Sequence, residues 1–297
     1  MLMGEHAVLF GEKALACAVD KYIYVELSPR TDREVYIDSA LATYHSTLDQ
    51  LVDEPELSFV LAAIRQFKAE LPGGFSLKIR SEFSHTVGLG SSAAVTAGCV
   101  AALSAFANQT TAPERLFTRA LDVVHSVQGG RGSGTDLVAS IFGAVVSYVV
   151  EPRQIKALGA LPDISLFYVG YKTKTPVVLQ IVEQRAQQQP DIYADIYRLM
   201  GKVTAKAEQA VAARDWHSLG QLMNHYQGLM DALGVSDKAL SEIIYTLRSS
   251  STILGAKISG SGLGDCVLAL GQDNELAISY EQIPVAVSAQ GVTFEHH

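Results

Sequence analysis

Cysteine, tryptophan and basic charge are all scarce in this 297-residue sequence. It carries three cysteines, Cys17, Cys99 and Cys266, and one tryptophan, Trp216. Cysteines odd in number and widely spaced fit a reducing, cytoplasmic location best. Lys and Arg number 23 against 31 Asp and Glu, a formal charge of −8. That balance argues against binding a nucleic-acid polymer, which usually calls for a basic excess. Long apolar runs are missing too. The longest nearly apolar stretch, Gly143 to Val150, falls far short of the ~20 residues that span a bilayer. The opening Met1-Leu2-Met3-Gly4-Glu5 has neither the basic start nor the apolar run of a secretory signal. What is present is enough apolar material, 48% of residues against 18% charged, to fill a core, so the expectation is a soluble folded protein of one large domain or two smaller ones.

Periodicity sketches the elements. Tyr22 to Leu27 mixes aromatic and β-branched residues and stops at Ser28-Pro29, which reads as a strand, and a short strand is expected at Val35 to Ile37. Leu57, Val60, Leu61, Ile64, Phe67 and Leu71 recur at helical spacing until Pro72-Gly73-Gly74. Phe75, Leu77 and Ile79 alternate with polar residues, the period of a half-buried strand. A helix rich in small residues is expected to Ala107, and Thr111 with Glu114 reads as a capping box opening a helix towards His125. Asp136 opens a short helix to Phe142, and strands are expected at Val145 to Val150 and Ile164 to Val169. Thr175 to Ser250 is helical almost throughout. Strands return at Ala256 to Ser259, Cys266 to Leu270 and Val285 to Val287, with a helix around Asn274 to Gln282. This order favours α+β over a regularly alternating parallel sheet, with a boundary near Pro152 to Pro162 separating residues 1–155 from 156–297.

Three glycine-bearing segments carry chemistry. Gly88-Leu89-Gly90-Ser91-Ser92-Ala93-Ala94 lies between a strand and a helix. Glycines let backbone N–H groups approach an anion, and the positive end of the following helix favours phosphate. The hydroxyls of Ser91 and Ser92 suit phosphate or Mg²⁺. The segment lacks the Gly-Lys-Ser/Thr of a P-loop and the Gly-x-Gly-x-x-Gly of a dinucleotide fingerprint. A tight turn whose serines cap the helix is an equally good local reading. Gly255 to Cys266 is a second glycine-dense segment, including Ser259, Gly260 and Ser261; it suits a phosphate- or substrate-facing loop, or an ordinary bend between strands. In the third, Gly132-Ser133-Gly134-Thr135-Asp136, one carboxylate follows a glycine turn. There it can accept or orient a hydroxyl proton, or complement a helix dipole.

Taken together the three segments resemble the GHMP kinase superfamily. Gly4 through Asp20 is similar to its first motif, and the opening Gly4-Glu5-His6-Ala7-Val8 particularly resembles the mevalonate kinase branch; Gly88 to Ala94 is similar to the second and Lys257 to Cys266 to the third. The resemblance implies a two-lobed α+β fold with the active site in the cleft between lobes, and transfer of the ATP γ-phosphoryl group to a small-molecule alcohol with Mg²⁺. It implies mevalonate as the acceptor, with phosphomevalonate as the alternative and a sugar kinase or a non-catalytic metabolite-binding relative as more distant ones. Residue by residue, it implies that Gly88, Gly90, Ser91, Ser92 and Ala93 surround the triphosphate, that Ser92 ligates Mg²⁺ and that Asp136 is the catalytic carboxylate. Glu5, His6, Ser259, Gly260 and Ser261 would approach the substrate. The partner implied is a small molecule, with no nucleic acid and no membrane; a homodimer is the one assembly considered.

Two positions depart from the mevalonate branch. Its lysine ahead of Gly-Glu-His has no counterpart among Met1 to Met3, and Lys13 follows the motif, so the sequence is expected to start just after that lysine. His125 stands where a Mg²⁺-binding glutamate is common, and is read as a structural residue at a helix end. His125, Gln128, Gly129, Gly132 to Gly134, Asp136 and Gly264-Asp265-Cys266 resemble the phosphomevalonate branch. Lys172 and Lys174 are read as solvated. Cys17 and Cys99 are read as small core residues, Tyr193, Tyr197 and Trp216 as packing residues, and the terminal Glu295-His296-His297 is given no metal role.

Overall fold

A computed structural model describes residues 1–84 and 87–295, so His296 and His297 lie outside the described residues. In chain order a short 3-10 turn at Ala7–Phe10 precedes β1 (Ala14–Cys17), β2 (Ile23–Pro29), β3 (Glu34–Ser39), β4 (Thr43–Thr47), α1 (Ser58–Phe67) and β5 (Phe75–Ser81). There follow α2 (Ser91–Phe106), α3 (Pro113–Val127), α4 (Thr135–Phe142), β6 (Val145–Val149), β7 (Gln154–Gly159) and β8 (Ile164–Lys172). Then come α5 (Thr175–Gln188), α6 (Pro190–Ala213), α7 (Trp216–Ala232), α8 (Lys238–Arg248), β9 (Gly255–Ser259), β10 (Gly264–Leu270) and β11 (Glu281–Ile283).

The chain forms two compact units whose segments interleave in sequence. One holds residues 1–20, Val87 and Gly88, and residues 143–290; the other holds 21–84, 89–142 and 291–295. The boundary expected near residue 155 falls inside the antiparallel β6–β7 pair of the first unit.

The second unit is a mixed sheet, β2-β5-β3-β4, backed by α1 to α4. β2 and β5 are antiparallel, while β3 and β5 run parallel because β4, antiparallel to β3, has already carried the chain back to the end where β3 begins. The alternation read for β5 is real at its start: Phe75 and Leu77 are buried, Ser76 and Lys78 are not. The small-residue composition of α2 also has a cause. A methyl built on Gly98 would come 2.7 Å from Val25 Cγ2 on β2, so the helix sits too close to the sheet for larger side chains. The capping box does not form. Pro113 starts α3 after Ala112, which has no side chain to cap with, and Thr110 Oγ1 accepts from the Ala112 N–H at 3.3 Å.

The first unit contains two sheets, β1-β6-β7 and β11-β8-β10-β9. β10 lies between β8 and β9 and every residue in it is buried, which explains the apolar run from Cys266 to Leu270. Helices α7 and α8 pack on the β9–β10 side, and α6 packs on α7. Asp215 and Asp237 cap α7 and α8 by accepting the N–H of Ser218 and Leu240, each at 3.0 Å. Residues 274–282 do not form the expected helix. Asp273 Oδ1 accepts the Glu275 N–H at 3.0 Å, a local turn that competes with helix, and Glu281–Ile283 pairs with β8 as an edge strand. The strand expected at Val285 to Val287 is reduced to a bridge between Val19 and Val287. No helix among the described residues is long and apolar enough to cross a membrane.

Candidate active site

Within the second unit, the structure brings two of the sequence-predicted segments together. Gly90, in the left-handed region at φ 73°, immediately precedes α2 and contributes no side chain to the helix start. Ser91 and Ser92 therefore do not cap the helix as the alternative reading had it; they are its first two residues. The first N–H after Gly90 that bonds back within the turn is that of Ala94, to the Gly90 carbonyl at 3.0 Å. The N–H groups of Ser91, Ser92 and Ala93 belong to the first turn, where no intrahelical acceptor exists and the helix dipole is positive. Ser92 is exposed.

Asp136 sits in the first turn of α4, and its side chain approaches this segment. A methyl built on Gly90 would lie 3.4 Å from Asp136 Cβ and 3.7 Å from its Oδ2. The glycine thus leaves room for a carboxylate beside the loop. The turn ahead of α4 is held by Ser133 Oγ, which meets Thr135 Oγ1 at 2.8 Å, and by His125, whose Nε2–H donates to the Gly132 carbonyl at 3.0 Å. His125 is spent on that loop.

Gly88 and the remaining predicted residues lie in the first unit. Glu5 and His6 fall in a buried turn. Lys257, on β9, is 0% exposed and its Nζ donates to Glu5 Oε1 at 2.6 Å and to the Ile258 carbonyl. Burial pulls the ammonium down from its ordinary pKa, while Glu5 opposes that. Tyr226, fully buried on α7, takes a hydrogen bond from the Gly4 N–H at 3.1 Å and donates to the Glu5 carbonyl at 2.9 Å. The first motif is thus pinned to β9 and α7 by a network whose key members, Lys257 and Tyr226, were not recognised in the sequence. Tyr226 follows Leu219 and Met223 on the buried face of α7, a pattern that reads only as core.

His6 is 5% exposed and has φ 60°, an uncommon value outside glycine. Its Nε2 lies 2.8 Å from the Ser261 carbonyl. A carbonyl only accepts, so Nε2 carries the proton and Nδ1 is left as the acceptor. Burial lowers the imidazole pKa below 6.5, against the Ser261 hydrogen bond and the Glu5 charge, so the ring is neutral near pH 7. Ser259 Oγ donates to the Met1 carbonyl at 3.0 Å, and Gly260 has φ 109°. Lys172, expected in solvent, instead forms an ion pair with buried Asp265 at 3.1 Å.

Among the described residues no cluster of three or more His, Cys, Asp or Glu side chains could hold a metal ion by itself. A hydroxyl at Ser92 with phosphate oxygens fits Mg²⁺ all the same, because that ion commonly takes one or two protein ligands and completes its shell with substrate phosphates and water.

Comparison with known proteins gives a consistent result. The model of the GHMP kinases N terminal domain matches residues 58–144, and that of the GHMP kinases C terminal domain matches residues 207–281. A mevalonate kinase from Thermococcus sibiricus is 32% identical, over 94% of this chain and 89% of its own length. Among solved structures, a mevalonate kinase crystal structure superimposes with a TM-score of 0.81 over 97% of this chain and 96% of its own, at 21% identity, a likeness of fold. The L. major mevalonate kinase, solved in complex with R-mevalonate, gives a TM-score of 0.74 at 25% identity over 93% and 85% of the two chains.

Proposed function

This chain belongs to the GHMP kinase family as an ATP-dependent small-molecule kinase, and we propose that its acceptor is mevalonate, phosphorylated to 5-phosphomevalonate. The observation that carries the catalytic part of the reading is the placement of Asp136 against Gly90, which sets a carboxylate beside the segment suited to phosphate.

In the proposed reaction the acceptor oxygen forms a bond to the γ-phosphorus as the bond from that phosphorus to the bridging oxygen breaks, releasing ADP. The Asp136 carboxylate orients the acceptor hydroxyl and takes its proton. The first-turn N–H groups of Ser91 to Ala93 and the positive end of α2 hold the phosphates, with Gly88 and Gly90 allowing close approach. Ser92 would hold Mg²⁺, which neutralises phosphate charge when bound. Neutral His6 presents Nδ1 as an acceptor for a substrate hydroxyl, and Ser261, Gly260 and Ser259 line the same turn. Glu5 acts at one remove: its carboxylate is bonded to Lys257, so it positions His6 by fixing the motif. A reducing, cytoplasmic setting belongs to the same proposal and is supported by three unpaired thiols, of which burial pushes Cys17 and Cys99 up to about 12.

The test is ADP release with mevalonate and, separately, phosphomevalonate at saturating ATP. Turnover with mevalonate is expected, and Asp136→Asn should lower kcat by about 10² to 10⁴-fold while leaving ATP affinity within about threefold. No turnover with mevalonate would reject the substrate; an unchanged kcat in the variant would reject the role of Asp136.

A further inference from the structure

Asp265 stands in a place that packing alone does not explain. The β8–β10 register shifts between Gly264 and Cys266, so Asp265 occupies a bulge, and its φ of 76° lies in the left-handed region that side chains seldom adopt. A bulge re-aims a side chain, and backbone strain of this kind clusters at functional positions. The carboxylate it re-aims is buried, with Oδ2 3.1 Å from Lys172 Nζ at the end of β8. Oδ1 is buried and has no hydrogen-bond partner by distance and angle among the described residues.

This carboxylate touches both glycine segments at once. A methyl built on Gly88 would overlap Asp265 Oδ1, and one on Gly260 would come 3.0 Å from Oδ2. An acidic group pressed against a segment that receives a polyanion is electrostatically adverse unless it is compensated. Lys172, one-third exposed, supplies the compensation.

We propose that Asp265 and Lys172 form a charge-neutral brace that fixes Gly88 for the nucleotide phosphates, both acting as positioning residues. This rests on the reading of Gly88 to Ala93 as the nucleotide loop. Asp265 supplies the contact, and Lys172 removes the negative field that the contact would otherwise impose. The reading given above to Lys172, a solvated surface lysine, is replaced by an electrostatic one.

The experiment measures calorimetric affinity for a non-hydrolysable ATP analogue, and steady-state kinetics with mevalonate, in the full chain and in Lys172→Met, Asp265→Asn and the double variant. Lys172→Met should weaken nucleotide binding by about tenfold or more, with KM for mevalonate and kcat at saturating ATP within about twofold. Asp265→Asn in that background removes the bare charge and should restore affinity to within about threefold. A merely structural pair would predict loss of thermal stability without this selective, rescuable change. Nucleotide affinity in Lys172→Met within twofold of the parent would overturn the brace, as would a double variant as weak as the single one. If the parent chain binds the analogue but phosphorylates no mevalonate, the substrate assignment fails while the affinity series still decides the brace. If the parent does not bind the analogue, the brace fails.

Discussion

Replacing Lys257 by methionine should destabilise the first unit by about 3 to 5 kcal/mol at pH 7. Methionine keeps most of the side-chain volume, so the loss is electrostatic. Lys257 is fully buried and Glu5 nearly so, and the ammonium is the only group hydrogen-bonded to that carboxylate among the described residues, since Glu5 Oε2 has no partner. Deleting it leaves a bare buried anion, which typically costs about 3 to 5 kcal/mol. Removing the carboxylate charge as well, in Glu5→Gln/Lys257→Met, takes that cost away and should recover most of the stability. Trp216, the one tryptophan, starts α7 in the same unit and reports its unfolding by fluorescence. Urea titrations of the parent, Lys257→Met and Glu5→Gln/Lys257→Met at pH 7 give the comparison. A midpoint of Lys257→Met matching the parent would refute the argument, as would a double variant no more stable than the single one.

His6 links stability to pH. Its folded-state pKa lies below the unfolded 6.5, so the unfolded chain takes up the proton first; stability is full above pH 6.5 and declines as pH falls from there towards the folded value. His6→Gln should flatten that stretch of the urea-midpoint profile, and a slope that persists would count against it. Gly220 on α7 faces Leu254 so closely that a methyl would overlap its carbonyl, and Gly255 on β9 faces the Gly220 backbone in the same way. Gly220→Ala should cost about 2 kcal/mol or more by forcing α7 off β9, read as a lower urea midpoint; a midpoint matching the parent would show that the helix can yield.

What the sequence reveals about this molecule depends on how far apart its partners lie. β5 and the helices α5 to α8 declare themselves through local periodicity, and Gly90 and Asp136 through glycine-rich surroundings. β7 does not: its residues are mostly exposed, and only pairing with β6 makes Gln154–Gly159 a strand. The helix expected at Asn274 to Gln282 failed because an aspartate side chain captured the turn and an edge of β8 captured what followed. Glu5 is visible as part of a motif, yet its partner lies 252 residues away, and nothing near Lys257 marks that lysine as buried. Lys172 looked solvated for the same reason: Asp265, which claims it, comes from another strand of the sheet.

The interleaving of the two units also sets an order of events during synthesis. Residues 21–142 contain nearly all of one unit's strands and helices in a single run, so that unit can gather as soon as it emerges. The first 20 residues cannot finish until much later. Leu2, Met3, Ala14 and Leu15 are wholly buried in the folded chain, but β1 waits for Val145 to Tyr148, and Glu5 waits for Tyr226 and Lys257. At about 5 to 20 residues per second, the turn that carries His6 spends on the order of ten seconds or more without its partners. Its apolar residues stay open to chaperones and to misassociation for that interval, and the turn is complete only once Tyr226 and Lys257 have been made.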